Sequence, residues 1–198
     1  MQLDQGQRGF SFLKEGPLDM RMDPESQLTA KEIVNHWPEK ELSELFETYG
    51  EEPRHKRAAK AIVEERRKKP FSTTKDLADA LKNALKTPLK GKWHPATLIF
   101  QALRICVNGE LDAIAEGVLK ALRFLTKGGR IGAISFHSLE DRIVKNIFKD
   151  ASFKPKKSGS EILPMLRLLT KKPLTPTLKE MRLNPRARSA KLRFAEKT

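Results

Sequence analysis

The stretch Gly128-Gly-Arg-Ile-Gly-Ala-Ile-Ser-Phe-His-Ser-Leu-Glu-Asp141 (GGRIGAISFHSLED) decides the fold class. From Arg130 to His137 it is a short, mostly apolar run behind a Gly-Gly turn, which predicts a strand buried on both faces. Ser138-Leu-Glu-Asp141 then has capping-box spacing, with Ser138 as the cap, and Ile143, Val144, Ile147 and Phe148 continue as the apolar face of a helix. Upstream, Leu111, Ile114, Val118, Leu122 and Leu125 share one helical face and run into Lys127-Gly128-Gly129. Helix, glycine turn, buried strand and capped helix make an α/β unit rather than a bundle.

Before Asn108 the texture is different. Thr29-Ala-Lys-Glu32 and Thr73-Thr-Lys-Asp76 read as capping boxes, and Pro38 suits a first helical position. The segment from 54 to 69 has Ala58, Ala59, Ile62 and Val63 as a narrow apolar face, and Leu77, Leu81 and Leu85 recur at helical spacing. With a further helix through Leu98, Ala102, Leu103 and Cys106, this is a helical unit with no strand pattern inside it. Residues 1–28 are punctuated by Gly, Pro and Asp and read as loop, 87–92 and 151–161 likewise. Residues 166–172 and 189–195 each have a strand pattern.

The 198 residues carry 39 Lys and Arg against 25 Asp and Glu, a formal charge of +14. The excess is lopsided: residues 1–50 hold 5 basic and 10 acidic side chains, whereas the last 48 residues hold 13 and 3. Such a balance points to a polyanionic partner, most often nucleic acid. A single cysteine, Cys106, excludes an intrachain disulfide and fits a reducing compartment; its pattern is that of a small core residue. No run approaches a membrane span and the first residues lack an apolar signal core, so the cytoplasm is the expected location.

Chemistry-bearing residues are few. In open parallel sheets ligands bind beyond the carboxyl ends of strands, which selects Phe136 and His137; His137 either bonds a substrate or orients the loop. Gly128-Gly129 closes a helix and enters a strand, the reverse of a phosphate-binding loop. The four histidines and one cysteine show no metal-ligand spacing, so no metal is expected. In Asn184-Pro-Arg186-Ala-Arg188-Ser-Ala-Lys191-Leu-Arg193, alternate basic residues of an extended segment share a face. That face either follows a phosphate backbone or is a solvated edge strand. In Gly16-Pro-Leu-Asp19-Met20-Arg21-Met22-Asp23, two methionines alternate with three charges inside turn signals.

Together RGFSFLKEGPLDMRMD, TYGEE, HPAT..FQALRI.VN, GGRIGAISFHSLEDRIVK and NPRARSAKLR resemble the MraW (RsmH) family, S-adenosylmethionine-dependent methyltransferases of cytidine N4 in the decoding region of small-subunit (16S) rRNA. The resemblance runs almost from end to end. It implies the C-terminal part of a doubly wound, Rossmann-like methyltransferase domain plus an all-α insertion: residues 1–28 as a cleft-bordering loop, 29–107 as the insertion, and 108–198 as the last strands and helices with the basic tail. It implies S-adenosyl-L-methionine as cofactor, with Gln2 as the one matching cofactor position, and 16S rRNA in the small ribosomal subunit as partner. Asp19, Met20, Arg21, Met22, Asp23, His94, Gln101, Arg104, Asn108, Phe136, His137, Arg186 and Arg188 become candidates for the cleft or for RNA. In that loop the methionines either line a base pocket or pack between domains, Arg21 meets a phosphate, and an aspartate fixes the loop. Two departures stand out. The family's glycine-rich cofactor loop, its ribose-binding acid and its strand-four Asp-Leu-Gly are not in this sequence, and Leu98-Ile99 replaces the usual Arg-Thr after HPAT. A non-catalytic RNA-binding fragment is therefore the alternative expectation.

Overall fold

The computed structural model describes residues 6–86, 94–152 and 166–198, so Gln2, the whole 87–92 loop and most of the 151–161 loop lie outside the described residues. The chain is mixed α/β and divides into two compact units, one through Glu110 and one from Leu111.

The first unit holds α1 (Ala30–His36), α2 (Glu39–Thr48), α3 (His55–Lys68), α4 (Thr74–Leu85) and α5 (Thr97–Asn108). Each buries the stripe its sequence period defines: Leu42, Leu45 and Phe46 on α2, Ala58, Ala59, Ile62 and Val63 on α3, Leu77, Leu81 and Leu85 on α4. The Thr73 box closes fully, with the Asp76 amide donating to Oγ1 at 3.1 Å and the Thr73 amide to the Asp76 carboxylate at 3.3 Å. Thr29 makes the hydroxyl half of its expected box by accepting from the Glu32 amide, while the Glu32 carboxylate lies 3.7 Å from the His36 ring. Pro38 sits one residue earlier than the sequence suggested, as the cap of α2 rather than its first helical residue, because its ψ of 149° is extended.

TYGEE makes the turn from α2 toward α3. A Cβ on Gly50 would lie 2.6 Å from the Phe46 carbonyl oxygen and 2.8 Å from that of Leu98, so only glycine fits between these backbones. Glu51 takes the left-handed conformation (φ 50°). Glu52, 2% exposed, accepts from both the amide and the guanidinium of Arg54, whose other arm reaches the Leu85 carbonyl at the end of α4. The buried carboxylate is thus paired and hydrogen-bonded, the condition under which burial is tolerated.

The second unit contains α6 (Glu110–Phe124), β1 (Arg130–Ser135), α7 (Ser138–Ser152), β2 (Leu166–Leu168), α8 (Leu178–Leu183) and β3 (Lys191–Lys197). β3 is central, flanked by β1 and β2, and both ladders are antiparallel. This corrects the expectation that 130–137 is buried on both faces. Ile131 and Ala133 pack against a core of Leu122, Val144, Phe148, Leu166 and Ala195, while Ile134 is 61% and Phe136 53% exposed. Among the described residues only one face of β1 is covered, and its one ladder partner is β3. Gly132 stands opposite Phe194 and leaves room for that ring.

The tail reverses another expectation. Residues 185–189 form a 3-10 helix, not an extended segment, and β3 begins only at Lys191. The alternating face Lys191, Arg193, Ala195, Lys197 does exist, but it turns inward. Arg193 holds Asp141 through two bonds of 2.7 and 3.0 Å, Lys191 lies 3.6 Å from the same carboxylate, and Lys197 donates to the Leu125 and Leu122 carbonyls at the end of α6. A cation there offsets the negative helix end. Asp141 is therefore not a cap partner of Ser138, because its carboxylate is spent on β3.

The Arg193 guanidinium holds the Asp141 carboxyl below the usual carboxylate range despite its burial. The pair stabilises the fold above the unfolded Asp pKa, and this contribution disappears as pH falls through the lower folded value. Asp141→Asn should cost about 3 kcal/mol at neutral pH, the usual penalty for orphaning a buried charge. The gap from wild type in denaturant midpoint should close on acidification below about pH 4. A gap that does not change with pH would disprove the ion-pair account.

Candidate functional site

In the first unit the Asp19–Asp23 loop is held from three sides. The Met20 amide donates to the Arg8 carbonyl at 3.0 Å, and Ala30 and Lys31 donate to the carbonyls of Asp19 and Leu18. The Arg8 guanidinium donates to the Arg21 and Met22 carbonyls, both at 2.8 Å. Asn108, at the end of α5, completes the clamp: its Oδ1 accepts from the Met22 amide at 2.6 Å, and its Nδ2 donates to the Met20 and Arg104 carbonyls at 2.8 Å. One side-chain amide thereby ties a helix terminus to both sides of Arg21.

The two methionines have separate fates. Met20 is fully buried in the helical core and adopts φ 64°, a left-handed conformation rare outside glycine and asparagine. Burial of its side chain, about 1.5–3 kcal/mol, offsets a backbone cost of about 1–2 kcal/mol. Met22 is 41% exposed, and Asp23 is also exposed. Arg21 spends its donors locally, on Asp19 through bonds of 2.8 Å and on the Pro24 and Ser26 carbonyls at 2.7 Å. The same hydrogen bonds hold the Asp19 carboxyl below its ordinary pKa.

The other candidates of this unit act nearby in the chain. The His94 ring stacks on Phe12 with centroids 4.6 Å apart, and its Nδ1 accepts from the Ala96 amide at the start of α5. Burial keeps its pKa below the usual histidine value, with Lys82 adding to the effect. Gln101 donates to the Tyr49 carbonyl at 3.1 Å, and Arg104 grips Glu110 with bonds of 2.8 and 2.9 Å.

In the second unit Phe136 and His137 form the turn from β1 to α7. His137, not Ser138, occupies the cap position, since α7 begins at Ser138. The Glu140 amide faces the His137 Nδ1 at 3.4 Å, while the amides of Phe136 and His137 donate to the Glu140 carboxylate at 2.6 and 3.3 Å. This is a capping box with imidazole in place of a hydroxyl. Burial alone would raise the Glu140 pKa, but the His137 ring and these amides hold it low. The His137 Nε2 lies 3.2 Å from Glu140 Oε1 without hydrogen-bond alignment. Arg186 and Arg188 are exposed on the 3-10 helix.

The sequence reading missed the exposed side of α3, where Lys56, Arg57, Lys60, Arg67 and Lys68 face solvent. Their signal is present in the run HKR…ERRKK, where the basic residues are interrupted by Glu64 and Glu65. Asn108 is marked in the sequence only by its motif, because its loop partners lie 86 and 88 residues away and have no local signature.

Asn108→Ala would leave the Met22 amide and the Met20 carbonyl without this partner. We expect a loss of about 1–3 kcal/mol. Hydrogen exchange should accelerate at the Met22 amide while the amides of α3 and α4 keep their protection. An unchanged Met22 rate would show that the loop holds without the clamp.

Among the described residues no helix is long and apolar enough to cross a membrane. The sequence profile of the MraW methylase family matches residues 1–198. Among curated proteins, "Ribosomal RNA small subunit methyltransferase H" of Protochlamydia amoebophila is 52% identical, covering 99% of this chain and 64% of its own length. The proteins of that name from Synechocystis sp. and Carboxydothermus hydrogenoformans are 51% and 48% identical, each over 99% of this chain and over 60% and 65% of their own lengths. The chain thus spans less than two thirds of these relatives. With its full length matched and half its residues shared, the chain belongs to the MraW methylase family.

Proposed function

We propose that this chain supplies the RNA-facing part of an S-adenosylmethionine-dependent methyltransferase that acts on the N4 of a cytidine in the decoding region of 16S rRNA, in the cytoplasm. The observation that carries the reading is the family match along the whole chain, joined to relatives named for small-subunit rRNA methylation. The rigid loop presenting Met22 and Asp23 beside Asn108 suits a base-recognition edge. The exposed cations of α3 in the same unit, and separately those of the 3-10 helix in the second unit, are of the kind that contact phosphates. On this reading residues 29–107 form the substrate-recognition insertion of a doubly wound catalytic domain.

The cofactor would supply an electrophilic methyl group. The described residues do not fit it. The one strand-to-helix turn described, at Phe136-His137, has no glycine, and its amides are spent on Glu140 rather than left open for a ligand. Gln2 lies outside the described residues. No step of methyl transfer is therefore assigned to these side chains; the second reading is a non-catalytic RNA-binding fragment.

The two readings separate in one assay. The chain is incubated with small-subunit RNA and methyl-labelled S-adenosylmethionine, and nucleosides are analysed by mass spectrometry. Label at cytidine N4 supports the enzyme, RNA binding without label supports the fragment, and neither result sinks both.

Either reading predicts RNA affinity that falls steeply with salt. Of the four tail cations, Arg193 is paired with Asp141 and Lys191 lies beside the same carboxylate, whereas Arg186 and Arg188 are exposed and are the candidate backbone contacts. Replacing both by Ala should reduce the log–log salt slope by up to about 1.4, at about 0.7 per contact on a single strand. An unchanged slope would assign them to solvent.

A further inference from the structure

We propose that the groove between α2 and α5 is a docking site for an arginine side chain on a basic protein segment. The open groove is lined by Trp37, Glu41, Glu44, Leu45, Thr48 and Tyr49 of the α2 region and by Cys106 of α5, with a volume of about 290 Å³. Glu41, Glu44 and Thr48 follow one another along a single helical face, with Trp37 before the helix and Tyr49 after it. The backbone at both aromatic residues is held: Arg66 donates to the Trp37 carbonyl at 2.8 Å and Gln101 to the Tyr49 carbonyl at 3.1 Å.

The occupant follows from charge and size. This is an acidic helix, with Glu39, Glu41, Glu44 and Glu47 against Lys40, in a chain of net charge +14. Exposed carboxylates on the rim repel phosphate, so RNA belongs elsewhere, on the α3 cations. A guanidinium satisfies both kinds of wall at once: it stacks on aromatic faces and pairs with carboxylates through planar forks. The groove, about 290 Å³, has room for one long side chain. The proposal goes beyond the methyl-transfer reading and holds whichever form of that reading is right.

The test uses the full chain with Trp93→Phe, which leaves Trp37 as its one tryptophan. A blocked hexa-arginine peptide should change Trp37 fluorescence saturably and slow maleimide labelling of Cys106, whereas hexaglutamate should do neither. Glu41→Lys with Glu44→Lys, both exposed positions, should weaken the peptide by roughly tenfold or more. Glu64→Lys on α3 should leave the affinity unchanged. The proposal fails if the double variant binds as tightly as the parent, if Cys106 is not protected, or if an RNA oligonucleotide gives the larger Trp37 response.

Discussion

The Asn108 side chain reaches back across 88 residues to hold the Met20 carbonyl, and with its other atom it takes the Met22 amide. Because it stands at the last turn of α5, it also keeps the Arg104 carbonyl satisfied. A helix end and a distant loop therefore share one set of hydrogen bonds. The conformation of the loop, including the left-handed Met20, follows from this clamp together with the Arg8 guanidinium and the burial of the Met20 side chain. Met22 and Asp23 are left on the outside, and the proposed RNA-facing edge depends on them.

The second unit uses the same economy in ionic form. Asp141 on α7 and Arg193 on β3 fix a helix on a sheet through a bidentate pair with little exposure. The neighbouring cations of β3 are drawn in as well, Lys191 to the same carboxylate and Lys197 to the end of α6. A segment whose sequence advertises a basic strip thus uses much of its charge for architecture. Arg186 and Arg188 lie exposed on a 3-10 helix.

Charge is also divided within the helical unit. α2 is acidic and bordered by two aromatic residues, and the solvent side of α3 is basic. A surface that served RNA alone would gain nothing from an exposed row of carboxylates. Gly50 and the Glu52–Arg54 pair, whose carboxylate is buried, form the joint between these two helices.

Several elements were legible in the sequence because their causes are local. Periodic apolar residues on α2, α3 and α4, the Thr29 and Thr73 caps, and the strand from Arg130 need only near neighbours to be read, and the motifs carried the family. The sequence did not disclose that β1 is covered on one face only, since burial depends on which strands and helices pack beside it. Nor could it show that His137 replaces Ser138 as a cap, because Asp141, the expected box partner, is claimed by an arginine 52 residues later. Met20 and Met22 look alike in the chain; only the packing of α5 against the loop sends one inward and one out. Local spacing determined which helices and strands form, and the tertiary structure decided which polar groups they leave free, because each donor and acceptor is spent on the partner that folding brings within reach.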